Sequence, residues 1–304
     1  MANNLEATRI AQDAFIEALA AGTEDYSKCC QVLTPSAGQL QLGSLAAGGL
    51  ATEVTAAATS VSADNVASQI ATINAQGWAI KHQTPWHMLD RDLSLASQAG
   101  IKLANAARQN VNKQYFDGLE GLFSSVHPAV GTGVGQVGAG KVFIDTGLAF
   151  LQTEAGASSQ GNLLSAAFSE AALDTALQTM QNYKDQRGLP LNSGSNGGLV
   201  LVVSPKNRKL AHEVVFSTLS GADMAANSMN SWISDVVTFP LTTDEDDWWL
   251  IDPAMSPAGI WMIEQPTVEV RPSEDGLFAI FVAKWQSAFY TRAYEHGIVG
   301  SDVA

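Results

Sequence analysis

Along residues 89–124 the apolar positions Leu89, Leu93, Ala96, Gly100, Leu103, Ala107, Val111, Tyr115, Gly118 and Leu122 recur at steps of three or four. That spacing lays them on one stripe of a helix, while Arg91, Lys102, Arg108, Lys113 and Asp117 fall largely elsewhere. No proline interrupts the run. At about 1.5 Å per residue it predicts a helix of roughly 50 Å, the length of a whole domain. The stripe is rich in alanine and glycine and lacks sustained charged flanks, which argues against a coiled coil. Its charges exclude a membrane span. What remains is a beam for a large flat protein, with small residues packed closely against a sheet or a neighbouring backbone.

Shorter patterns surround this beam. Leu5–Ala20 predicts an amphipathic helix with Ile10, Ala11, Ala14, Phe15, Ala18 and Leu19 on one side, too short to stand without docking on something. From Gly22 to Gln76 the chain turns small and polar. Gly43–Gly49 and Val54–Val61 have the makings of a thin hairpin but not of a core. An arm and an extended loop that order against neighbouring subunits is the preferred reading there, over plain disorder. Trp78–Trp86 predicts a short strand leading into the beam, which His127-Pro128 terminates. Ser169 and Glu170 open a second helix lined by Leu173, Leu177 and Met180, with Gly188 and Pro190 as stop signals. Leu199–Val203 predicts a buried strand. Ser204-Pro205 then predicts the start of a third helix carrying Leu210, Val214 and Leu219. Strands are predicted at Val236–Phe239, Trp248–Ile251, Ile260–Ile263, Thr267–Arg271 and Leu277–Tyr290. The order is long helix, helix, strand, helix, then strands, which is an α+β class.

Composition sharpens this picture. Only 15% of the 304 residues are charged, so surface must be covered by something besides solvated Lys and Glu, and homo-oligomeric interfaces are the usual answer. A net charge of −14 argues against a surface built to grip phosphates, though not against enclosing nucleic acid loosely. Cys29 and Cys30 are adjacent, which disfavours an ordinary disulfide, and two thiols cannot complete a zinc site. They read as reduced thiols of an intracellular product. The N-terminus lacks a signal-peptide pattern, and no apolar run reaches membrane-spanning length, so a soluble protein made in the cytoplasm is expected.

Candidate chemistry is sparse. Gly133-x-Gly135-x-x-Gly138 matches a dinucleotide-binding spacing, and Gly135-x-x-x-x-Gly140-Lys141 nearly matches a phosphate loop. Both need a strand before the glycines and a helix directly after; here a helix precedes, and Val142 replaces the magnesium-binding hydroxyl. Gly131–Gly140 therefore reads as a connector. His82, His87, His127, His212 and His296 show no metal-ligand spacing. Asp244-Glu245-Asp246-Asp247, just before Trp248-Trp249, reads as a solvated hairpin tip whose carboxylates are the one plausible collector of a divalent cation. No serine sits in a nucleophile elbow. The expectation is no catalytic residue, no cofactor and no resident metal.

From the second helix onward the chain resembles the major capsid proteins of tailed phages, in particular the phage Mu-type major head subunits. The resemblance is carried by Phe168–Met180, Lys184–Leu191, Leu199–Pro205, Ala211, Asn227, Asn230, Asp247–Asp252, Pro266, Arg271 and the closing aromatic strand up to Tyr294, over roughly residues 160–300. It implies a Hong Kong 97-type fold. By that plan residues 1–43 are an N-terminal arm, 44–77 an extended loop, and 78–160 a peripheral domain with spine helix 89–124. Residues 161–265 are mainly an axial domain, and 266–304 hold the return strands of the peripheral domain and the C-terminus. The implied function is a structural one, a capsid subunit that forms hexamers and pentamers of an icosahedral shell in the virion and is not an enzyme. Its implied partners are copies of itself, scaffold, portal and decoration proteins, and packaged double-stranded DNA enclosed without specific binding, with no membrane. An encapsulin-like nanocompartment is the alternative within the fold. A soluble oligomeric enzyme with a site at Gly131–Gly140 is the rival of another class.

Overall fold

The computed structural model describes residues 2–22, 24–34, 39–45, 68–74, 76–123, 144, 160–184, 190–195, 197–217, 219–220, 225–226, 229–240, 244–291 and 297–303. In chain order its elements are α1 (Ala2–Ala21), α2 (Tyr26–Cys29), β1 (Gln39–Leu45), β2 (Ser68–Asn74), β3 (Gln76–Pro85), α3 (Trp86–Leu89) and α4 (Ser94–Gly121). There follow β4 (Leu163–Leu164), α5 (Glu170–Gln181), β5 (Leu199–Val203), α6 (Arg208–Phe216), β6 (Leu219–Ser220) and β7 (Ala225–Ala226). The chain closes with β8 (Ile233–Thr238), β9 (Trp248–Ile251), β10 (Ala258–Pro272), β11 (Phe278–Thr291) and β12 (Ile298–Ser301). The mixture is α+β, as expected. Two compact units result, Met1–Leu40 with Ile73–Gly118 and Gly259–Tyr290, and Gln41–Thr72 with Leu119–Ala258 and Thr291–Ala304.

The first unit is built on α4. The apolar stripe predicted one helix from Leu89, yet the regular helix starts at Ser94 and spans 28 residues, about 42 Å. The break has a local cause. The Asp92 carboxylate accepts a hydrogen bond from the Ser94 N–H at 2.9 Å, closing a turn that competes with helix, while Leu89 stays buried in the preceding short turn α3. Within α4 the stripe is buried as predicted at Ala96, Leu103, Ala107, Val111 and Tyr115.

Its small residues meet both kinds of partner. Helix α1 docks along the stripe through Ala7, Ala11 and Phe15, four residues apart and fully buried. At Gly100 the approach is backbone to backbone: an added Cβ would lie 2.4 Å from the Ala11 carbonyl oxygen. At Gly118 the partner is a sheet strand, and a Cβ would lie 2.5 Å from the Phe289 ring of β11. That sheet has the order β10-β11-β3. Strand β3 runs antiparallel to β11 from Phe278↔Pro85 to Ser287↔Gln76, which pairs Trp285 with Trp78. The Ser287 hydroxyl donates to the Gln114 side-chain oxygen of α4 at 2.9 Å.

Two strands predicted around Pro266 are one 15-residue strand, β10. It lies at the sheet edge, where a proline's missing N–H costs no ladder bond. The start of the predicted thin hairpin falls in β1, which pairs with β2 in a sheet of two strands; the rest of Gly43–Gly49 and all of Val54–Val61 lie outside the described residues.

The second unit centres on a five-stranded sheet of order β4-β12-β9-β5-β8. Strand β5 is parallel to β8 and antiparallel to β9, and its LVLVV sequence is buried throughout. Helix α5 begins as its sequence dictates, the Ser169 hydroxyl accepting from the Ala172 N–H at 3.1 Å. It packs Leu173, Ala176, Leu177 and Met180 into the core. Helix α6 departs from expectation. Its regular part starts at Arg208, because residues 204–207 form a turn in which the Ser204 hydroxyl donates to the Glu245 carbonyl instead of capping. Its inner residues are Ala211 and Val215, whereas Leu210 is exposed and Leu219 belongs to β6. Strands β4 and β12 were not predicted; both are too short to show a pattern.

Candidate functional site

The residues that concentrate polar chemistry are those of the acidic segment Asp244–Asp247. It joins β8 to β9, which are not neighbours in the sheet, since β5 lies between them. It is therefore not a hairpin tip. Its carboxylates also part ways. Asp244 accepts from the Asp246 N–H at 2.9 Å, and Asp246 pairs with the Lys206 ammonium at 2.7 Å. Asp247 turns inward, 5% exposed, and its Oδ1 has no hydrogen-bond partner.

The ladder explains what surrounds Asp247. Strand β12 pairs antiparallel with β9 as far as Ser301 opposite Trp248, so Asp302 and Asp247 are the residues next beyond that pair at the same end of the ladder. The Val303 N–H donates to the Asp247 carboxylate. Burial, then the charges of Asp244 and Asp302, push that carboxyl up to about 7, and Glu120 at the end of α4 adds to the rise. Next to it Trp248 is fixed by its indole N–H donating to the Ala166 carbonyl at 3.0 Å, an oxygen shared with the Ser301 hydroxyl at 2.8 Å. The acidic string was legible in sequence. Asp302 and Glu120 were not, because only the tertiary fold brings the end of β12 and the end of α4 there. Among the described residues no three His, Cys, Asp or Glu side chains gather to hold a metal ion.

The other sequence candidates are dispersed. His82 lies on β3 opposite Phe281, His87 is exposed on α3, and His212 on α6 tilts against Phe216 with ring centroids 5.4 Å apart. His127, His296 and the loop Gly131–Gly140, with Lys141 and Val142, lie outside the described residues. Cys29 and Cys30 are buried and form no disulfide. The Cys30 thiol donates to the Tyr26 carbonyl, and burial pushes it up to about 12. It is a packing group beside Tyr26 and Tyr115 and carries no thiolate at neutral pH.

One residue of the docking of α1 escaped sequence reasoning. Arg108 of α4 donates to the Ala18 carbonyl in the last turn of α1 at 3.4 Å and to the Asn105 side chain at 2.7 Å. A cation at that helix end complements the partial negative charge of its free carbonyls. Gly22 makes this possible, for a Cβ there would lie 1.0 Å from the guanidinium Nη1. The first unit leaves Leu5, Ile16, Met88, Ile101 and Leu277 exposed, and the second leaves Leu210 and Phe216. Such residues suit contacts between copies better than any reaction.

Comparison with known proteins points the same way. A family model described as "Phage capsid protein" matches residues 86–295. None of the curated proteins matches. Among solved structures, the chain is similar to "Capsid of empty GTA particle computed with C5 symmetry", with a TM-score of 0.61 at 12% identity, covering 93% of this chain and 91% of that one. It is similar to a virus-like particle from Pyrococcus furiosus, with a TM-score of 0.56 at 12% identity, covering 97% of this chain and 99% of that one. A third likeness is to Mycobacterium phage Che8, with a TM-score of 0.51 at 16% identity, covering 88% and 85%.

Proposed function

The chain belongs to the phage capsid protein family, and from that premise we propose that it is the major capsid subunit of an icosahedral shell, assembling as hexamers and pentamers around double-stranded DNA. The observation that carries this reading is the family match over residues 86–295, which takes in α4, α5, α6, strands β4 to β11 and the acidic segment Asp244–Asp247. The exposed apolar residues and the low charged fraction support contacts between copies. The net charge of −14 supports a lining that does not clamp the packaged phosphates. Its role is structural, without catalysis. Scaffold, portal and decoration proteins are its further partners, and the virion is its destination after synthesis in the host cytoplasm.

Within the subunit we assign residues 1–43 to an arm, 44–77 to an extended loop, 78–160 to a peripheral domain with the spine, 161–265 mainly to an axial domain and 266–304 to the return. The packing of Gly259–Tyr290 with Ile73–Gly118 supports the return of β10 and β11 to the spine. The five-stranded unit supports an axial domain.

The test is expression with any scaffold required, followed by electron microscopy and nucleic-acid assay of the product. Closed shells or rings are expected; uniform small oligomers under every condition would refute the reading. An encapsulin-like nanocompartment is the second reading within the same fold, which the chain shares with a virus-like particle over 99% of that chain. Purified shells that hold protein cargo and no DNA would establish it.

A further inference from the structure

Asp247 sits where the end of one ladder should be at its weakest. Like charges brought together at the end of an antiparallel pair are destabilising, and Asp302 and Asp247 stand at the same end of the β12–β9 ladder, next beyond its last pair Ser301–Trp248. An ionised Asp247 would also face Asp244 from its own turn and Glu120 from the end of α4. The nearby cation Lys206, in the turn before α6, is engaged with Asp246. Asp247 has no partner at Oδ1, and its carboxylate takes one N–H, that of Val303. The segment it touches is small: Asp302 is otherwise held by its N–H donating to the Leu164 carbonyl at 3.1 Å.

We propose that Asp247 is a proton-operated latch on the segment leaving β12: protonated, it lets Asp302 close against the start of β9, and ionised, it drives Asp302 off against the hold of the Val303 N–H. The sign follows from the burial. Folding raises this carboxyl from its ordinary 3.8 to about 7, so the folded chain binds more protons than the unfolded one across that window. The latch is fully closed below the ordinary range, weakens as pH rises towards 7, and is open above it. This goes beyond shell building and does not depend on it.

Hydrogen exchange of the full chain, read by mass spectrometry on the peptide that ends at residue 303 and corrected for the intrinsic pH dependence of exchange, tests the latch at pH 5.5 and pH 8.5. Protection of that peptide should fall at least tenfold between the two, while a peptide from β5 stays constant. In Asp247→Asn the fall should vanish. In Asp302→Asn, a change at an exposed residue that leaves the core intact, the midpoint should move to lower pH. Constant protection in the parent overturns the proposal. So does a full pH dependence kept by Asp247→Asn, or, should that variant misfold, an unmoved midpoint in Asp302→Asn.

Discussion

Gly100→Ala is the sharpest probe of how α4 holds α1. In an exposed helix interior this change gains about 1 kcal/mol, because alanine is the better helix former. Here the new Cβ meets the Ala11 carbonyl oxygen at 2.4 Å, with the Ala11 carbonyl carbon and the Phe15 nitrogen at 3.2 Å. All three are backbone atoms of α1, so no side chain can rotate away and the whole helix must shift. Overpacking of this kind costs about 1–3 kcal/mol. The sum is a net loss of about 1 kcal/mol, localised on α1. Gly118→Ala supplies the comparison. Its Cβ would strike the half-buried ring of Phe289 at 2.5 Å, a side chain rather than helix backbone, so the loss there should fall on the β11 contact and leave α1 protected. Urea unfolding followed by tryptophan fluorescence, with hydrogen exchange of residues 7–15, reads both effects. Gly100→Ala should lower the midpoint and deprotect α1, and Gly100→Leu should do so more strongly. A Gly100→Ala variant more stable than the parent, with α1 equally protected, would show that α1 does not dock at this point.

Three further outcomes are expected. Gly22→Ala should displace the Arg108 guanidinium from the end of α1 and raise proteolytic cleavage near residue 22, matching Arg108→Ala; cleavage unchanged in both would remove Arg108 as a cap. Ser169→Ala should cost about 1 kcal/mol through the lost bond to the Ala172 N–H, measured by denaturant midpoint, and Ser169→Asp should restore most of it. Cys30, its thiol pushed up to about 12 by burial, should resist iodoacetamide at pH 8 in the folded chain and react only on unfolding; rapid labelling of native protein would contradict its packed position.

What the sequence revealed and what it hid divide along physical lines. The start of helix α5 was legible to the residue, because its cap and its apolar period are both local, while its end at Gln181 falls short of the expected stops Gly188 and Pro190. The spine's inner stripe was legible for the same reason, down to the double use of its small residues at Gly100 and Gly118. Its start was misjudged because the Asp92 turn overrides an apolar period that continues through it. Ser204-Pro205 misled in the opposite sense: the hydroxyl that should cap α6 is drawn to the Glu245 carbonyl, a partner 41 residues away. The acidic corner shows the limit most clearly. Asp244–Asp247 could be read as four neighbouring carboxylates, but strand pairing sends Asp246 out to Lys206 and Asp247 in towards Asp302.

That separation changes how charge acts in so acidic a chain. With a net charge of −14, repulsion between copies in a shell is expected, and salt should relieve it where carboxylates are exposed. Such repulsion is screened over a Debye length of about 8–10 Å at moderate ionic strength. Asp247 is different: its carboxyl is buried and its opponents belong to the same subunit, so salt reaches it poorly while protons act on it directly. Two dependences should therefore come apart. Stability of the assembled shell should respond to salt through exposed acids such as Glu245, and neutralising it should flatten the salt profile while leaving a pH transition near 7. Asp247→Asn should do the reverse, removing the transition and keeping the salt profile. Thermal melts of the shells over a grid of pH and sodium chloride separate the two. If either substitution flattens both profiles together, the buried and exposed carboxylates form one coupled network, and the separate roles assigned to Asp247 and its exposed neighbours fail.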